Sequence, residues 1–159
     1  MFVQATRVAP VPVSTGVHRL RQYLNVDGHV GTDAVAAMQE GEALLVAASG
    51  SVHKQVLIQS LRPFTDGQAT VVPLRWVATG PLQSLVPVMD AHMELRPHGT
   101  NKCRLTLNGS YRPFTEVGGA VDPQLLHTVA QTTAETFVAR VSVALQHNDT
   151  SAPRRPATA

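Results

Sequence analysis

The chain has 159 residues, the size of one domain and long enough to bury a core. Apolar residues make up 43% and charged residues 15%, which excludes disorder as the main state, because disordered chains are poor in apolar residues and rich in charge. The net charge is only +2, the cations are scattered and aromatics are 4%; with neither a basic stripe nor a stacking platform, nucleic acid is not expected as a partner.

Phe2 to Val8 sets Phe2, Gln4 and Thr6 against Val3, Ala5 and Arg7, and this alternation predicts a first strand stopped by Pro10 and Pro12. A short helix is then expected over Val17, Leu20, Arg21 and Leu24, capped by Ser14 or Thr15 and ended by the turn-rich segment from Asn25 to Gly31. Thr32 as N-cap, Asp33 in the first turn and a series of alanines predict a second helix over about 33–48. Gly41 interrupts it, so 42–48 reads alternatively as a buried strand.

From Val52 to Tyr111 the period is two, with breaks at 63–67, 80–81 and 97–101. Four strands follow, over about 52–61, 69–79, 87–96 and 102–111. Connections this short hold no crossover helix, so the strands form an antiparallel meander. Leu74, Trp76 and Ala78, then Met89, Ala91, Met93 and Leu95, then Cys103, Leu105, Leu107, Gly109 and Tyr111 share one oily face. Arg75, Asp90, His92, Glu94, Arg96, Lys102, Arg104 and Thr106 take the other. A three-residue turn over 98–100 is expected to set Glu94 opposite Arg104.

An oily sheet face needs a cover. Asp122 and Pro123 open a helix predicted over 122–146, with a stripe of Leu126, Val129, Ala130, Thr133, Phe137, Val141, Ala144 and Leu145. That stripe is the expected lid. Beyond it, 148–159 has no apolar period and is rich in Pro, Ser, Thr and Ala, so a disordered tail is expected after one domain over 1–147.

The stretch VVPLRWVATGPLQSLVPVMDAHMEL, followed by RLTLNGSYRPF, GGAVD and a long helix opening on PQLLHTVA, resembles bacterial members of the SRPBCC superfamily, the START-like or polyketide cyclase and lipid-transport-like proteins. The likeness covers about 70–146, and the first half agrees in its order of elements. It implies an α+β helix-grip fold, an antiparallel sheet wrapped on a long C-terminal helix with two short helices after the first strand. The five strands counted here are fewer than the six or seven common in that superfamily. The resemblance also implies an apolar cavity between sheet and helix that takes a lipid, polyketide or similar hydrophobic molecule. Its lining would be Leu74, Trp76, Ala78, Met89, Ala91, Met93, Leu105, Leu107 and Tyr111 from the sheet, and Leu126, Val129, Ala130, Thr133 and Phe137 from the helix.

Two other readings stay open. A cyclase or dehydratase would use the same cavity, with Tyr111 as proton donor, Arg112 as charge stabiliser and Thr79 as a further polar group. An interaction protein would fill its grip with its own side chains, Trp76 and Phe137 forming the plug.

Other chemistry is sparse. Seven histidines include no pair one helical turn apart, so no metal is expected. No phosphate-cradling glycine motif, nucleophile elbow or dinucleotide fingerprint occurs, and no cofactor is expected. Asp90, His92 and Glu94 share their face with Arg75, Arg96, Lys102 and Arg104, which makes a solvated charge mosaic rather than an acid–base pair. Cys103, the single cysteine, falls on the oily face without a base beside it and reads as a buried, inert thiol. The longest aliphatic run, Ala43 to Ala48, is far too short to cross a bilayer, and Met1 to Pro10 has no export pattern. A cytoplasmic protein, monomeric or homodimeric, is the expectation.

Overall fold

A computed structural model of the chain describes residues 1–25, 34, 36, 37, 55–79, 88–111 and 123–147. Among these, strand β1 (Phe2–Ala9) leads into helix α1 (Val13–Asn25), and five strands follow: β2 (Gln55–Ser60), β3 (Phe64–Asp66), β4 (Ala69–Thr79), β5 (Met89–Pro97) and β6 (Cys103–Tyr111). Helix α2 (Pro123–Ala144) closes the series. The strands form one antiparallel sheet in the order β1-β6-β5-β4-β2, with β3 also pairing β4.

Alternation in the sequence becomes two distinct faces. Val3, Ala5 and Ala9 of β1, Val72, Leu74 and Trp76 of β4, Met93 and Leu95 of β5, and the odd positions from Cys103 to Tyr111 of β6 are buried. Gln4, Thr6, Arg75, Asp90, His92, Arg96 and Arg104 are exposed. The buried set faces α2, whose own buried positions are Ala134, Phe137, Val138, Val141 and Ser142, with Leu145 just beyond its end. The seam thus gains Ala134, Val138 and Ser142, while Val129, Thr133 and Ala144 of the expected stripe are only partly buried.

Helix α1 starts earlier than the expected Ser14 or Thr15 cap allows. The Gly16 amide donates to the Pro12 carbonyl at 2.8 Å, so the first helical bond is accepted by a proline, whose missing N–H is of no consequence at a helix start. Gly16 also explains why α1 can lie close to the sheet: a Cβ there would stand 3.1 Å from Cys103 Sγ and 3.2 Å from Leu95 Cδ2. Of the second predicted helix, Ala34, Ala36 and Ala37 are helical, and Ala34 and Ala37 are fully buried. The rest of 33–48, including its strand alternative, lies outside the described residues, as do Asp122 and the tail 148–159.

Two expectations change. The break at 63–67 contains β3, which pairs Phe64 with Val71 and Asp66 with Ala69 and turns back through Gly67 at φ 57°. Among the described residues the sheet therefore has six strands, not five; three residues are too few to show a period in sequence. The β5–β6 connection spans 98–102, not three residues. His98 N–H donates to the Lys102 carbonyl at 2.9 Å, and Gly99 and Asn101 supply φ values of 68° and 57°, which glycine and asparagine adopt most readily. The longer loop slides the pairing by two, so each residue keeps its face but changes partner. Glu94 lies opposite Thr106, and Arg96 lies opposite Arg104. Glu94 instead accepts from Arg96 on its own strand, and Arg104 donates to His98 Nδ1 at 3.1 Å, which eases two like charges placed face to face.

Helix α2 packs chiefly against β1, the edge strand. Gln131 meets that edge with both ends of its amide. Gln4 N–H donates to Gln131 Oε1 at 3.3 Å, and Gln131 Nε2 donates to the Gln4 carbonyl at 2.7 Å. One side chain thereby does what a neighbouring strand's peptide would do. The far end of α2 is held by Arg19 of α1, whose Nη1 donates to the Leu145 carbonyl at 2.6 Å, capping a helix end that leaves carbonyls unpaired. No helix among the described residues is long and apolar enough to cross a membrane.

Candidate functional site

The pairing register arranges the inner face in rows across the strands. Trp76, Met89 and Tyr111 stand side by side at one end of β4, β5 and β6. The next row is Leu74, Ala91, Gly109 and Val3, and the one after it Val72, Met93, Leu107 and Ala5. Leu95 and Leu105 follow, and Cys103 and Ala9 end the face beneath α1.

Burial varies along these rows. Met93, Leu95, Cys103, Leu105 and Leu107 are fully buried. Met89 and Ala91, on the same face of β5, are only partly buried. Strand β5 has β6 on one side and β4 on the other, so solvent reaches its inner face from above the sheet or past the strand end at Met89. The second row is also built from small groups: Ala91 carries a methyl, and at Gly109 a Cβ would stand 2.9 Å from Met89 Sδ. Gly109 thus leaves Met89 room to lie across the row.

From the helix side, Phe137 is fully buried and meets Trp76 edge to face, ring centroids 5.0 Å apart at an interplanar angle of 67°. This is the favoured geometry for two rings whose edges are positive and faces negative. Trp76 and Phe137 do meet, as expected, between the sheet and α2. The partly open Met89 and Ala91 lie on the Tyr111 side of the inner face.

At that end stands Tyr111, in the row with Met89 and the indole of Trp76. The Tyr111 hydroxyl belongs to a residue only 5% exposed. It donates to Met1 Sδ at 3.2 Å and lies 3.5 Å from Nδ1 of His127, an exposed residue on α2. Burial pushes the Tyr111 phenol above its ordinary value, because an anion is disfavoured away from water. The group is therefore a neutral hydrogen-bond donor and a poor proton source. Burial likewise raises the Cys103 thiol, which keeps it protonated and weakly nucleophilic.

The structure brings together Leu74, Trp76, Met89, Ala91, Met93, Leu105, Leu107 and Tyr111 on the inner face of the sheet and sets Ala130 and Phe137 of α2 against the same core. Val129 and Thr133 are partly buried on α2. Arg112 lies outside the described residues, and so do the side chains of Ala78, Thr79 and Leu126. His127 is the residue the sequence did not offer. It sits one position past the Leu126 of the apolar stripe, and no spacing connects it to Tyr111. Among the described residues no three His, Cys, Asp or Glu side chains gather into a group able to hold a metal ion.

The outer face carries a polar ladder. Gln4 Nε2 donates to Asn108 Oδ1 at 2.6 Å, Asn108 Nδ2 lies 3.2 Å from His92 Nε2, and Arg75 pairs loosely with Asp90 at 3.8 Å. These exposed contacts fix register and contribute little energy, about 0.2–1 kcal/mol for an ion pair.

No family model matches the chain, and no curated protein matches it. Solved structures do. A conserved protein from Geobacillus kaustophilus superposes with a TM-score of 0.52 at 12% identity, over 91% of this chain and 95% of that one. The Zhui aromatase/cyclase from Streptomyces sp. R1128 covers 91% of this chain and 93% of its own at 14% identity, with a TM-score of 0.48. Identity this low carries a fold and no activity. With a six-stranded antiparallel sheet, a helix after the first strand and a long C-terminal helix against the inner face among its described residues, the chain has a helix-grip fold.

Proposed function

We propose that the chain binds a hydrophobic small molecule between the inner face of the sheet and α2, at the end marked by Trp76, Met89 and Tyr111. The observation that carries this reading is the partial exposure of Met89 and Ala91 on the inner face of a strand flanked on both sides. Apolar side chains at the centre of a sheet are ordinarily sealed by the layer above. Those left open beside an indole and a phenol offer a ligand apolar surface and adaptable thioether contact. A raised phenol pKa favours binding over proton transfer, since Tyr111 holds its proton more tightly than a free phenol.

Titration with Nile red, an uncharged apolar dye, tests this. Saturable fluorescence enhancement is expected, with a rise in melting temperature at saturating dye, since a ligand bound only by the folded state stabilises it. Absence of saturable uptake sinks the reading. Ala91→Phe separates an open layer from a filled one. With room above β5, the variant stays within about 1 kcal/mol of the parent and loses dye binding; in a filled layer, overpacking costs about 1–3 kcal/mol.

A further inference from the structure

A buried hydroxyl normally finds a strong acceptor, because leaving one unmade forfeits what water would have provided. Tyr111 is an exception. Its hydroxyl is directed at a thioether sulfur, a weak acceptor, at 3.2 Å, and its second neighbour, His127 Nδ1, lies at the 3.5 Å limit of a hydrogen bond. The residue as a whole is 5% exposed, while both contacts of its hydroxyl are only part-buried. Both groups sit where the inner face opens: Tyr111 lies opposite the partly open Met89 in the register, and His127 stands on the α2 side of the same opening.

We infer that Tyr111 and His127 form a two-point site for a carboxylate at one end of an otherwise apolar ligand, the phenol O–H and the imidazole N–H each donating to one of its oxygens. This rests on the reading of the inner face as a ligand site and specifies the ligand class: an apolar body with one terminal carboxylate. The apolar rows receive the body, and the pair at the mouth reads the head. A carboxylate oxygen is a far stronger acceptor than a thioether, so it displaces the Met1 contact without breaking any strong bond. An exposed His127 also leaves the head within reach of water, which avoids burying an unpaired charge.

Displacement of Nile red by naphthalene and by 2-naphthoate, which share an apolar body and differ in the carboxylate, tests the assignment. The folded parent should bind 2-naphthoate about tenfold more tightly than naphthalene, as expected for hydrogen bonds to a charged group. Tyr111→Phe should reduce that margin to about twofold or less while leaving naphthalene unchanged, and His127→Ala, a change at an exposed position, should narrow it by about threefold. An unchanged margin in either folded variant overturns the assignment, as does equal affinity of the parent for both compounds. Should Tyr111→Phe not fold, His127→Ala decides alone. Failure of the parent to take up Nile red at all counts against the ligand-binding reading, and is thereby distinguished from a failure of head-group recognition.

Discussion

Phe137 and Trp76 meet in the layer between α2 and the sheet, one contributed from each side. A buried aromatic ring removed from such a contact leaves a cavity that its neighbours fill only in part. Phe137→Ala is therefore expected to destabilise the fold by about 3–5 kcal/mol. Urea unfolding followed by the fluorescence of Trp76, the single tryptophan, measures the loss and also reports the changed surroundings of the indole. A cost below about 1 kcal/mol would show that the rings do not support the layer. At this scale the sequence was legible wherever alternation decided a side chain's direction. Leu74, Trp76, Met93, Leu105 and Tyr111 all lie on the expected face, since a residue's face in a strand depends on parity alone. His127 was not legible, because its meeting with Tyr111 depends on how far along the sheet α2 is placed.

Among the elements, α2 and β1 are joined by the apolar seam and also by the Gln131 amide on both backbone groups of Gln4. An edge strand presents unpaired donors and acceptors, and covering them also blocks pairing with another chain. Gln131→Ala should destabilise the protein by about 1–2 kcal/mol, the sum expected for two modest hydrogen bonds. It should also speed hydrogen exchange at the Gln4 amide more than at neighbouring amides of β1. Equal protection of Gln4 in parent and variant would remove this role. The period in sequence marks the reach of β1, β4, β5, β6 and α2, because it runs over eight residues or more in each. β3, with three residues, shows no period, and α1 starts before Ser14 and Thr15 because the carbonyl of Pro12, not a hydroxyl, takes the first bond.

For the whole molecule, burial of two weak acids links stability to pH. Cys103 and Tyr111 are neutral when protonated, and both are raised in the fold from ordinary values of 9.0 and 10.0. The unfolded chain releases these protons first, so the folded state binds more protons once pH exceeds 9.0, and stability falls as pH rises. The stabilisation is fully present below the unfolded values and is lost on climbing through the raised folded ones. Urea midpoints should thus be level from about pH 7 to 8 and decline above about pH 9. In Cys103→Ala the lower part of that decline should disappear. A midpoint that rises across the same interval would contradict the assignment.

What the sequence alone determined is the set of choices made locally. These are which face each strand residue takes, where proline ends a strand or opens a helix, and that a long amphipathic helix follows an oily meander. Short-range sterics and a repeating period decide these, and each needs only a few neighbours. The tertiary structure decided the rest: a two-residue shift between β5 and β6, the clamp of Gln131 on β1, the partial exposure of Met89 and Ala91, and the approach of Tyr111 to His127. Each joins residues across a loop or from separate elements, and its geometry follows from how whole elements pack, which no local window of sequence contains.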